Sequence, residues 1–160
     1  MAAYIKFDGI DGEAQDKDHK NWSDILSFNQ AVTKPGGAAT GPTRRRGDVI
    51  LEDIQVTKEI DKASPKIAEA VCLGRVFPKV DIHVTASYTD AGRVPYYCYE
   101  LKNVQVTSYN IGGSGQSDDV PVEEMSLNFE EIRVTYTETD RAGKKKGNIE
   151  YTWKVEEATR

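Results

Sequence analysis

Residues 76–88 read VFPKVDIHVTASY, and this stretch decides the fold. Val76, Pro78, Val80, Ile82, Val84, Ala86 and Tyr88 fall on one face, and Lys79, Asp81, His83, Thr85 and Ser87 on the other. That period of two marks a half-buried β-strand. A continuous strand of about 14 residues would span roughly 45 Å at about 3.3 Å per residue, well beyond the usual length, so it has to bend or coil around a core. The wall of a β-barrel meets that need.

The same alternation recurs toward the C-terminus, where Ile149, Tyr151, Trp153 and Val155 interleave with Glu150, Thr152, Lys154 and Glu156. One apolar and one charged face result, and the strand is expected to pair on both sides or to close the sheet. Between Val122 and Tyr136 the apolar set Met125, Leu127 and Phe129 changes phase to Ile132, Val134 and Tyr136 across Glu130 and Glu131. One extra residue would restore the phase, which predicts a β-bulge there. Further strands are expected at 3–8, 22–32, 48–60 and 96–111, for a total of seven or eight.

One helix of about ten residues is predicted. Ser64 can cap it, Pro65 suits its first position, Ile67, Ala70 and Val71 share a face, and Gly74 can end it in the left-handed conformation. Segments 12–21, 33–47 and 112–121 have no periodicity and are long for connections within a compact domain. No repeat and no break in composition divides the chain, so residues 1–160 are expected to form a single-domain, mostly β protein: a β-barrel with one short flanking α-helix.

The chain has 160 residues, with 26 Asp and Glu against 21 Lys and Arg. That length suffices for a core without metal or disulfide support, and the acidic balance argues against nucleic acid as a partner. No run approaches the roughly 18 apolar residues of a membrane-spanning helix, and the acidic, alternating N-terminus does not read as a signal peptide. Synthesis and folding in the cytoplasm are expected. Cys72 and Cys98 are too few for a disulfide framework and are expected to be buried as small apolar residues.

Catalytic motifs are not found. His19 and His83 stand 64 positions apart without the spacing of metal ligands or of a catalytic base. No serine occupies a G-x-S-x-G elbow. Paired acids at Asp16 and Asp18, Asp118 and Asp119, Glu123 and Glu124, and Glu130 and Glu131 do not complete a calcium-loop pattern. Gly112, Gly113 and Gly115 are followed by acids and a strand instead of a lysine and a helix, unlike a phosphate cradle. No catalytic, cofactor-binding or metal residue is therefore assigned. Two basic triplets, Arg44 to Arg46 and Lys144 to Lys146, fall in predicted loops, where they could meet acidic loops of a neighbouring copy in a head-to-tail arrangement. The residues leave two alternatives open: a carbohydrate-active barrel using a carboxylate pair, and a monomeric β-barrel ligand-binding module.

Three stretches in order resemble the Hcp (haemolysin-coregulated protein) family, which forms the inner tube of bacterial type VI secretion systems. They are IKFDGIDGEAQDKDHKNWSDILSF from Ile5, DIQVTKEIDKASPKIAEAVCLGRVFPKVDIHV from Asp53, and NVQVTSYNIGGSGQSDDVPVEEMSLNFEEIRVTY from Asn103. The resemblance spans nearly the whole chain. It implies a structural, non-enzymatic β-barrel that forms hexameric rings stacked into a hollow tube, is exported without a cleaved signal, and can carry small effector proteins in the ring lumen. It also implies a VgrG-type spike and a contractile sheath as partners. The chain ends at Arg160 directly after the last predicted strand, so a fused toxin activity is not expected. Segment 31–47 corresponds to the family's extended loop toward the adjacent ring, which makes Arg44, Arg45 and Arg46 the ring-stacking candidates.

Overall fold

The computed structural model describes residues 1–34, 49–88 and 92–155. Arg44, Arg45 and Arg46 lie outside the described residues. Eleven strands and one helix are described: β1 (Ala2–Phe7), β2 (Ser23–Ile25), β3 (Ser27–Asn29), β4 (Val32–Thr33), β5 (Ile50–Leu51), β6 (Ile54–Glu59), α1 (Ser64–Leu73), β7 (Val76–Tyr88), β8 (Gly92–Gly112), β9 (Val122–Asn128), β10 (Glu131–Thr139) and β11 (Lys145–Lys154). The excess over the predicted strand count comes from interruptions. Stretch 22–32 divides into β2, β3 and the start of β4, and the phase change near Glu130 separates β9 from β10.

Nine strands join one sheet in the order β2-β1-β7-β8-β9-β6-β3, with β10 and β11 branching from β8, while β4 and β5 pair apart. Every ladder is antiparallel. β8, 21 residues long, is the trunk: one edge lies on β7, and the other carries β10 at Tyr97–Lys102 and then β9 from Gln105 onward. The path starts at β2 and ends at β3, and no ladder among the described residues joins its ends. In sequence only Leu26 separates those two strands, and its N–H donates to the Thr57 carbonyl on β6 at 2.8 Å.

The predicted bulge at Glu130 and Glu131 is corrected. Gln105 pairs with Asn128 and Lys102 with Glu131, so both strands advance three positions between these pairs and neither has a surplus residue. The phase change is real, but β7 and β8 share it: the core-facing residues are Phe77 then Val80 on β7, Leu101 then Val104 on β8, and Phe129 then Ile132 along β9 and β10. The three strands bend along one line, where Asn103 takes φ 52°. Because they turn together, the ladder keeps its register. Bulges occur elsewhere, with Tyr96 and Thr107 as the extra residues of β8. The shared bend also corrects the first predicted face, since Phe77 is buried whereas Val76 and Pro78 are exposed.

Helix α1 packs against β8, and its Ile67 and Ala70 join the same buried cluster as Ile54 and Phe77. Its cap differs from expectation. Ala63 holds the N-cap position, and Ser64 is the first helical residue. Asp61 organises the entry: its Oδ1 accepts from the Ala63 N–H at 3.0 Å and from Lys58 Nζ at 2.9 Å. Pro65 stands in the first turn, as read, and Gly74 ends the helix at φ 64°, ψ 31°, with the Arg75 N–H reaching the Ala70 carbonyl at 2.9 Å. The cysteines do not behave as buried apolar residues. Cys72 is exposed on α1, and Cys98 is half-buried between His83 and Thr135, where burial above all, then Asp81, pushes its thiol up to about 11.

Lys58 and Glu123 are both fully buried (0% exposed), and they face each other across the β6–β9 ladder as an ion pair. The Tyr109 hydroxyl donates to the same carboxylate. Burial, then that bond, raises the phenol well above its ordinary pKa.

Candidate assembly surface

The hairpin of β10 and β11 leaves several large apolar side chains exposed. Its turn is built by Asp140, whose Oδ1 accepts from the Ala142 and Lys144 N–H groups at 2.9 Å each, while its own N–H donates to the Lys144 carbonyl at 3.0 Å. Gly143 supplies the φ of 84° that a side chain would resist. Lys144 is in this turn, but Lys145 and Lys146 open β11, so the second basic triplet is not wholly in a loop. Arg141, Lys144, Lys145 and Lys146 are all exposed there.

Antiparallel register aligns the core-facing residues in rows across the sheet. One row runs Ile25, Ala3, Val84, Tyr97, Tyr136, Ile149. Its first three members are buried and Tyr97 is half-buried, but Tyr136 is 44% and Ile149 76% exposed. The next row, Ile5, Ile82, Tyr99, Val134, Tyr151, is buried as far as Val134 and then 46% exposed at Tyr151. The face that makes the core in β1, β7 and β8 therefore continues onto β10 and β11 after its cover has ended. Phe28 of β3 reaches Tyr99, with ring centroids 5.9 Å apart, and leaves Tyr151 and Ile149 open.

β11 also pairs only with β10 among the described residues, which corrects the expectation of partners on both sides. A ten-residue edge strand with no proline and with Ile149, Tyr151 and Trp153 on one face is an invitation to another chain. Covering a large apolar side chain is worth about 1.5–3 kcal/mol, so this face holds a substantial driving force for association. Sequence reasoning found the apolar face of β11 but not its exposure, and the same holds for Tyr136 in the apolar set of β10.

The two histidines, which share no ligand or catalytic spacing in the sequence, meet in the fold. His19 Nε2 lies 3.0 Å from His83 Nδ1, and His19 Nδ1 lies 2.6 Å from Asp16 Oδ2. Of the remaining acid pairs, Glu123 serves the buried ion pair, Glu131 meets Lys102 at 3.1 Å, and Asp118 and Asp119 are exposed in the loop between β8 and β9.

Comparison with known proteins agrees with this architecture. Residues 4–136 match the family described as type VI secretion system effector, Hcp. Protein hcp1 of Pseudomonas aeruginosa is 30% identical over 153 residues, covering 95% of this chain and 93% of that protein. A solved structure of a type six secretion system protein, 28% identical, aligns over 99% of this chain and 98% of its own with a TM-score of 0.90. Hcp1 from Salmonella typhimurium, 21% identical, shares the fold over 99% of this chain and 97% of its own with a TM-score of 0.79. With the family match spanning most of its length and a relative aligned across nearly the whole of both chains, this chain belongs to the Hcp family of type VI secretion system proteins.

Proposed function

We propose that this chain is a structural tube subunit of a bacterial type VI secretion system, assembling into hexameric rings that stack into the inner tube. The observation that carries the reading is the uncovered core face on β10 and β11, at Tyr136, Ile149 and Tyr151, beside an edge strand with one partner among the described residues. A head-to-tail ring would cover that face in every copy. In the same reading the sheet works as a barrel wall, with Leu26 carrying the chain from the β1 ladder to the β6 ladder. The subunit acts without catalysis. It is made in the cytoplasm, exported without a cleaved signal, capped by a VgrG-type spike, surrounded by a contractile sheath, and carries small effector proteins in the lumen. Arg44, Arg45 and Arg46 are the proposed contacts between rings.

Apolar contacts within a ring and polar contacts between rings respond differently to ions, so salt should dissolve tubes before rings. Light scattering coupled to size exclusion tests the reading at low and moderate salt. A hexamer-sized particle that persists at moderate salt is the expected result. A stable monomer at both salts would overturn it and favour a monomeric binding module.

A further inference from the structure

The geometry points to an acid-released latch, formed by Asp16, His19 and His83, that pins the segment between β1 and β2 onto β7. This inference is independent of ring assembly and of the surface that serves it. His19 is 2% exposed although it lies outside any strand or helix. Its ring stacks on Tyr4 of β1 with centroids 4.6 Å apart, and Trp22 meets it edge-on at 4.8 Å. Beyond its first residues, where the Asp8 N–H donates to the Lys79 carbonyl of β7 at 3.2 Å, the segment's backbone bonds run within itself, from the Gly12 N–H to the Asn21 carbonyl at 2.7 Å and from the Ala14 N–H to the Trp22 carbonyl at 2.8 Å. Such bonds shape the segment without fastening it to the sheet. The His19 plug fastens residues 12–20, while Lys6, whose Nζ bonds the Ile10 carbonyl at 2.8 Å and Asp11 at 2.6 Å, holds the segment's start beside the Asp8 bond.

Proton positions make the plug conditional. The Asp16 carboxylate only accepts, so His19 Nδ1 carries a proton toward it. The facing pair, His19 Nε2 and His83 Nδ1 at 3.0 Å, then holds one proton between two nitrogens. The arrangement accommodates one charged ring, but charging both sets N–H against N–H. The surroundings do not relieve a second charge. Tyr4 on β1 and Cys98 on β8 flank His83 as neutral groups, Lys79 on β7 repels it, and on the segment's side Arg93 of β8 leans on Asp16 at 3.9 Å. The acids nearby have other cations: Asp81 meets Lys79 at 3.5 Å, and Glu100 pairs with Arg133 of β10. Asp24 of β2 lies opposite Tyr4. In keeping with this, burial first and His19 second hold His83 down at about 4.

Opening of the segment uncovers His83 on β7 and frees it to titrate near the ordinary histidine pKa of about 6.5, so opening takes up a proton between about pH 6.5 and 4. The opening constant of residues 12–20 should rise by up to about tenfold per pH unit across that window, as read by native-state hydrogen exchange corrected for intrinsic rates. His83→Asn keeps a donor where Nδ1 stands and removes the titration, so its opening constant should stay flat. A flat wild-type profile, or an unchanged slope in His83→Asn, overturns the latch. Should that variant fail to fold, NMR titration of the imidazoles in the wild type decides. A His83 ring still uncharged near pH 5 supports the latch, and one that titrates near 6.5 rejects it.

Discussion

Two regions of this molecule invert the usual placement of side chains, and they do so for opposite reasons. Between β6 and β9 a lysine and a glutamate are wholly buried; on β11 an isoleucine is mostly in water. The buried charges have every partner inside the chain: Lys58 meets Glu123 and Asp61, and Glu123 also takes the Tyr109 hydroxyl. The exposed apolar row is left largely uncovered by the described residues, although the same row is core a few strands away. Polar groups inside a fold must be satisfied from within, because nothing else reaches them. An apolar face on an edge strand can be satisfied from outside, so it points to a partner. Substitution in the first region should therefore cost folding stability, and substitution in the second should cost assembly.

The largest loss of stability is expected from Lys58→Met. It removes one member of a buried pair and leaves the Glu123 charge without compensation, a change that costs about 3–5 kcal/mol. Adding Glu123→Gln removes the stranded charge while keeping an acceptor for Tyr109, and should restore a measurable part of that loss. Urea unfolding at one fixed protein concentration reads both, the concentration being held because assembly adds apparent stability. If Lys58→Met cost less than about 1 kcal/mol, a typical value for an exposed pair, the contrast between the regions would fail.

A smaller effect is expected at Gly74, where the comparison moves from side chain to backbone. A Cβ there would find Gln105 Nε2 no nearer than 3.8 Å, so space is not at issue. The left-handed conformation is, and Gly74→Ala should cost about 1–2 kcal/mol for that reason alone. Thermal unfolding of the variant beside wild type measures it, and an unchanged midpoint would mean that the helix end relaxes into another cap.

How far these features were legible beforehand follows the same physics. Pro65 and Gly74 mark the helix by local chemistry that needs no partner, and both ends were read to within a residue. The cap was assigned to Ser64 because serine caps well, but Asp61, three positions earlier, takes the Ala63 N–H. Around Glu130 the apolar pattern reported a true change of phase, yet one strand cannot reveal that β7 and β8 bend beside it. Alternation in β11 identified the face formed by Ile149 and Tyr151. Whether that face is covered depends on where β3 and Phe28 end, which is a property of the packed sheet. His19 and His83 meet because β1 places Tyr4 between their elements, and nothing in a separation of 64 residues announces it.

The smallest effect on stability, and the most informative, is expected from Ile149→Lys. At 76% exposure the isoleucine contributes little to the isolated fold, and the replacement changes strand preference by no more than about 1 kcal/mol. Its pairing with Tyr136 survives in the backbone, so the hairpin should persist. A partner covering this face would have to bury an unpaired ammonium, which association cannot tolerate at the centre of an interface. The variant should therefore unfold nearly as wild type does while its hexamer-sized particle gives way to a monomer in light scattering. If wild type and variant both assemble, the ring is held by another surface, and the apolar row on β11 meets a different partner. If the variant instead unfolds far more readily, Ile149 belongs to the core after all, and the division between a region satisfied from within and a region awaiting a partner would have to be redrawn.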